Sequence, residues 1–187
     1  FWDDTYRFMV EPSDDYLKGN YIAATLQNLQ ISFVLLVGPE GRTAFATGHD
    51  LATRNLVPLD PSIPEALARD GLLPGSGRPP QPVAGIVRLA RGPVLVAGEP
   101  ILTSQGAGPA RGLLFMGRDL DRSVVAAIGR TTLLEVSMTP APAPSAPRTP
   151  QPGMVDLDGI RTTPVADQRI AATATVYDVR NAPALAL

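Results

Sequence analysis

The sequence predicts an α+β fold: N-terminal helices laid on one side of an antiparallel sheet of five or more strands, followed by an extra C-terminal hairpin. Three observations carry this. Residues 1–30 have apolar side chains at helical spacing and a capping residue between two helical stretches. Residues 31–120 hold a hairpin and then, after short helices, three apolar strands joined by tight turns, and such short connections make strands antiparallel. Residues 169–187 alternate, turn and return.

The elements follow in order. On a helix over Phe1–Val10, Trp2, Tyr6, Met9 and Val10 form one apolar stripe, with Asp3 and Arg7 paired four apart on the neighbouring side. Pro12 breaks this helix. Ser13 caps a second one, with Asp14 and Asp15 at its positive end, running to about Gln30. Ile31–Val37 is apolar on both faces, as a central strand is, and Gly38-Pro39-Glu40-Gly41 turns it back into Arg42–Thr47. Asp50 can cap a short helix over Leu51–Asn55. Ser62-Ile63-Pro64-Glu65 fits a capping box for a helix running to Asp70 and ending at Gly71. Residues 73–82 are too rich in Pro and Gly for regular structure. Val83–Ala90, Val94–Ile101 and Arg111–Leu120 are the next strands, with Gly85 marking a bulge or a close backbone approach. Asp121 or Ser123 caps a helix to about Ile128, ended by Gly129, and Leu133–Met138 is a further strand candidate. Residues 139–152 contain six prolines and read as a mobile, extended excursion. Arg169–Val179 and Ala182–Leu187 form the last hairpin, with Asn181 in its turn as a residue tolerant of the left-handed conformation.

Composition narrows the classes. At 187 residues and 44% apolar, the chain is long enough for one domain with a proper core. Net charge is −2, Lys18 is the only lysine among 16 basic residues, and there is no basic run, which argues against nucleic acid. Without cysteine, disulfide and thiolate chemistry are excluded. No apolar run approaches the roughly 18–20 residues of a membrane span. His49 is the only histidine, so neither a metal centre nor a Ser-His-Asp triad has a supporting motif. The acid pairs Asp3-Asp4, Asp14-Asp15, Asp119/Asp121 and Asp156/Asp158 read first as caps and solvated turns. Val155–Gly159 looks faintly like a calcium loop but lacks the closing Glu.

Several of these residues also carry a resemblance. Trp2-Asp3-Asp4-Thr5-Tyr6, the Tyr-rich helix with Asn20, and Leu29 and Ile31 opening a strand resemble the fourth subtype of the CHASE domains. The Gly85-Ile86 pair, the Pro93–Ala97 run, Pro100-Ile101, and Gly112, Gly117, Arg118 and Leu120 extend the match, whereas Asn181 stands where the family usually has Gly. The resemblance implies a PAS-like extracellular sensory domain set between two membrane helices of a bacterial signalling protein. That implies a periplasmic location, possible homodimerisation, and a cytoplasmic diguanylate cyclase, cyclic di-GMP phosphodiesterase or histidine kinase output. The chain is then expected to be a piece of a longer protein without enzyme activity of its own, organised as one domain: 1–30 helical, 31–130 PAS-like core, 139–152 loop, 169–187 hairpin.

A PAS-like sheet and its covering helices enclose a cleft for an unknown small ligand, or meet a periplasmic partner. The expected anchors are Arg88, Arg118, Tyr6 and Asp4, arginine being suited to carboxylate or phosphate. No cofactor or metal is expected. Two alternatives stand beside the sensor: a dimerisation or protein-interaction module whose pocket is filled by its own side chains, and, far behind, a hydrolase using the acid pairs.

Overall fold

The computed structural model describes residues 2–75, 79–140, 155–157, 160–165 and 169–187. The chain forms two compact units, Phe1–Asp119 and Leu120–Leu187.

The first unit contains α1 (Trp2–Phe8), α2 (Asp14–Asn20), α3 (Ala23–Leu29), β1 (Phe33–Val37), β2 (Thr43–Asp50), β3 (Asn55–Val57), α4 (Ser62–Arg69), β4 (Val83–Leu89), β5 (Gly92–Pro100) and β6 (Leu113–Asp119). Its six strands form an antiparallel sheet in the order β3-β2-β1-β6-β5-β4, the α+β plan expected from the sequence. β1 is central and buried along its whole length, as its two-sided apolar character required. On one face, Val34, Leu36, Leu114 and Ile101 pack against Phe8, Tyr21 and Leu26 of the N-terminal segment. On the other, Phe33, Leu35, Val37, Leu113 and Phe115 are fully buried; α4, beside β4, buries Ile63, Ala66 and Leu67.

Several expectations are corrected. The first helix stops at Phe8, so its buried positions are Thr5 and Phe8, while Val10 of the expected stripe is 54% exposed. The segment after Pro12 is two helices, not one. It breaks at Tyr21 and Ile22 because Tyr21 turns into the core, stacking on Phe45 at 5.1 Å between ring centroids. Gln30, left-handed at φ 56°, then ends α3, and the Ile31 amide reaches back to the Leu26 carbonyl. Residues 51–54 form a turn rather than a helix: Asp50 Oδ1 accepts from the Ala52 and Thr53 amides, and Arg54 is left-handed. The capping box at Ser62 does not form, since Pro61 is already helical and Asp60 Oδ1 takes the Ser62 amide. Arg91 at the β4–β5 turn then clamps Asp60 at 2.7 Å and Asp119 at 2.6 Å. Gly85 pairs in unbroken register with Val96, with no bulge.

The second unit contains α5 (Arg122–Thr132), β7 (Thr139–Pro140), β8 (Val155–Leu157), β9 (Ile160–Val165), β10 (Arg169–Tyr177) and β11 (Pro183–Ala186), with the strands ordered β7-β11-β10-β9-β8. The last hairpin is present, and Asn181 has φ 59°, as its turn required. Gly129 lies inside α5 instead of ending it; the stop is Leu133, left-handed and 90% exposed, and residues 133–138 are not a strand. Most of the Pro-rich stretch, and Asp158-Gly159 of the calcium-like sequence, lie outside the described residues.

Asp121 caps α5 by accepting from the Ser123 and Val124 amides at 2.8 and 3.1 Å. Asp121→Ala leaves those donors without their acceptor, and the expected loss is about 1 kcal/mol, read as earlier denaturant unfolding of this unit.

Candidate functional site

The site is built on α1. This helix is short: Asp3, Asp4 and Arg7 are exposed, Tyr6 is half-buried against the core, and Thr5 and Phe8 are buried. Beside it runs the β5–β6 connection, closed at its base where the Ile101 amide bonds to the Gly112 carbonyl and the Arg111 amide to the Ile101 carbonyl, both at 2.9 Å. Within the loop, the Thr103 hydroxyl donates to the Ala107 carbonyl and accepts from the Ala107 amide, holding a tight turn.

Two contacts tie the loop to α1. Asp3 Oδ1 accepts from the Ser104 amide at 2.8 Å, and the Tyr6 hydroxyl donates to the Pro109 carbonyl at 3.4 Å. The Ser104 amide, assisted by the Ser104 hydroxyl, holds the Asp3 carboxyl below the usual carboxylate range. Arg7, the partner that the four-residue spacing suggested, adds a smaller charge effect on Asp3. Arg111 lays its guanidinium over the Tyr6 ring, 4.1 Å from the centroid.

These residues border an open recess of about 470 Å³, lined by Asp3, Tyr6, Arg7, Val10, Glu11 and Arg111. A second recess of about 280 Å³ lies on the neighbouring side, lined by Asp4, Arg7, Phe8, Glu11, Ser13, Tyr16 and Asn20. Arg7 and Glu11 line both.

Behind the second recess a hydroxyl chain leads into the core. Thr5 Oγ1 lies 2.6 Å from the Tyr16 hydroxyl, which lies 3.0 Å from the Tyr21 hydroxyl. The rings continue the same line, with Phe8 stacked on Tyr16 at 4.8 Å and Tyr21 edge-on to Tyr16 at 5.8 Å. Asn20 supports Tyr16 by donating to its carbonyl at 2.8 Å. Burial, with the Tyr16 hydroxyl beside it, pushes the Tyr21 phenol far above its ordinary value of 10.0. Tyr21 thus stays neutral in the folded chain, whereas an unfolded tyrosine ionises near about pH 10. The stability it contributes is complete below that pH and is lost as pH rises beyond it. The melting temperature is expected to fall between about pH 9 and 11, and less steeply in Tyr21→Phe.

Of the anchors expected from the sequence, Tyr6 lines the larger recess and Asp4 the smaller. Arg88 and Arg118 line neither. Arg118 reaches towards Gln30 Oε1 at 3.5 Å, with its Nε buried, and the Arg88 carbonyl accepts from Arg69. Arg7, Glu11 and Arg111 were not singled out as anchors, although the helical spacing of Arg7 and Glu11 to Asp3 was available in the sequence. Arg111 is visible only once the loop closes. The Trp2 side chain lies outside the described residues. His49 is buried, 3% exposed, and its Nδ1 donates to the Ile31 carbonyl at 3.1 Å. Among the described residues no three His, Asp or Glu side chains gather to hold a metal, and no helix is long and apolar enough to cross a membrane.

Comparison with known proteins places this geometry in context. The chain is 27% identical over 186 residues to the methanogenesis regulatory histidine kinase FilI of Methanothrix harundinacea (strain 6Ac). All of this chain is covered by that match, but it spans only 20% of the kinase's length. The crystal structure of the extracellular domain of vpHK1S-Z8, a provisionally assigned histidine kinase, is similar over 98% of this chain and 77% of its own, at TM-score 0.49 and 16% identity. The family model of the CHASE4 domain matches residues 1–139, which include α1, both recesses and the whole six-stranded sheet, and the chain therefore belongs to the CHASE4 domain family.

Proposed function

We propose that this chain is the extracytoplasmic sensing module of a membrane signalling receptor, and that it detects a small ligand at the larger α1 recess. The observation that carries this reading is a pair of guanidinium groups, Arg7 and Arg111, bordering one open recess without an ion-pair partner among the described residues. Guanidinium groups held at a concave surface and left unpaired are suited to an incoming anionic group. A binding event there acts on α1, and α1 is coupled through Thr5, Tyr16 and Tyr21 to Phe45 on β2. Two arrangements of that column with different ligand affinity are what a sensor requires.

A histidine kinase is the output favoured for the parent protein, because the relative from Methanothrix harundinacea is one; a cyclic di-GMP enzyme is the second choice. The chain itself is proposed to turn over no substrate.

The test is a thermal-shift screen of the purified chain against amino acids, organic acids, nucleotides, sugars, metals and polyamines. A ligand at a hundred times its dissociation constant adds about 2.7 kcal/mol, a readable rise in melting temperature. The expected result is a shift from one chemical class, lost in Arg111→Gln. No shift from any class would replace the ligand sensor with a protein-interaction module.

A further inference from the structure

We infer that the larger α1 recess takes a small zwitterion, one carboxylate and one ammonium group on a short scaffold. This rests on the sensing reading above and names the ligand class of the same site.

Charge balance carries the inference. Four of the six lining side chains are charged, two of each sign: Arg7 and Arg111 against Asp3 and Glu11. These charges offset one another only in part: Arg7 acts on Asp3 through its charge, without an ion-pair contact. Asp3 is turned to the Ser104 amide, and among the described residues Arg7, Arg111 and Glu11 form no ion pair. A recess with open charges of both signs selects by what each ligand class leaves unmatched. A dicarboxylate brings its second negative charge against Asp3 and Glu11. A diamine does the same to Arg7 and Arg111. An uncharged ligand strips water from all four groups and offers no counter-charge. A zwitterion alone satisfies both sets.

Geometry assigns the two ends. The Arg111 guanidinium lies over the Tyr6 ring at the border of the recess, and a guanidinium fork there is suited to a carboxylate. Tyr6 is itself held by the Pro109 carbonyl, and a Cβ on Gly108 would lie 2.9 Å from the Tyr6 hydroxyl, so the loop fits closely around this platform. Arg111 and Arg7 thus form the carboxylate end. Glu11, with no hydrogen-bond partner for its carboxylate among the described residues, forms the ammonium end. A recess of about 470 Å³ has room for such a molecule together with bridging water.

The experiment is titration calorimetry of the intact chain with glycine, β-alanine and γ-aminobutyrate, which differ in charge separation. Acetate, succinate, ethanolamine and putrescine serve as single-sign probes. At least one zwitterion is expected to bind, at least about tenfold more tightly than every single-sign probe. Arg111→Gln and Glu11→Gln should each weaken that zwitterion by about tenfold or more, and Glu11→Gln should keep the unliganded melting temperature. Glu11→Gln should in addition improve acetate binding, an outcome that a merely structural role for Glu11 does not produce. Succinate or putrescine binding as well as the best zwitterion would overturn the inference, as would zwitterion binding indifferent to both substitutions. If a ligand of another class binds and is lost in Arg111→Gln, the sensing reading survives and the zwitterion falls. If no class binds at all, both fall.

Discussion

Gly112→Ala is expected to cost about 4 kcal/mol and to lower the melting temperature of the first unit by on the order of 10 °C. Gly112 opens the turn into β6 with φ 137°, a backbone conformation that side chains rarely adopt. A Cβ there would lie 1.9 Å from the Val37 carbonyl oxygen, an atom of the central strand that cannot move aside without breaking its register. Strained dihedrals cost about 1–3 kcal/mol and displaced packing about as much again. The same glycine's carbonyl accepts from the Ile101 amide, so the base of the loop carrying Ser104, Pro109 and Arg111 opens with it. Circular dichroism melting checks the size of the loss. A variant as stable as the parent would mean that the loop base is not held as described.

Phe115→Ala is expected to cost about 3–5 kcal/mol, the range for removing a large aromatic from a packed core. Phe115 is fully buried on β6, opposite Gly98 of β5 and Leu35 of β1. Its ring fills the space above Gly98, where a Cβ would lie 2.7 Å from two ring atoms. One strand along, Phe33 is paired with Gly117, and a Cβ on Gly117 would lie 2.1 Å from the Phe33 ring. Each aromatic thus occupies the place its cross-strand neighbour leaves empty. The two changes are expected to be coupled: Gly98→Ala destabilises the parent but costs less alongside Phe115→Leu, because the clashing ring is gone. Denaturant unfolding of the four chains of that double-mutant cycle measures the coupling, and strict additivity would contradict it.

Much of this architecture is written in local pattern. Two-sided apolar runs announced β1 and β6, and Asn181 marked its own left-handed turn, because each depends on neighbours within a few residues. Trp2–Tyr6, together with later residues, also carried the resemblance to the family that residues 1–139 match. What the sequence did not contain was decided by long-range competition. Tyr21 leaves the helical path because stacking on Phe45 and bonding to Tyr16 outweigh continued helix, and Phe45 lies too far along the chain to be read from local pattern. Asp3 feels Arg7 at helix spacing, but its main partner is the Ser104 amide, which the loop brings from 101 residues away. The composition of the recess follows the same rule. Arg111 is one arginine among many in the chain, and only closure of the β5–β6 loop at Gly112 sets it on the Tyr6 ring. Local sequence thus determined the main strands of the first unit, the last hairpin and the family, whereas the charges facing the recess were settled by tertiary contacts whose energies exceed the local preferences they replace.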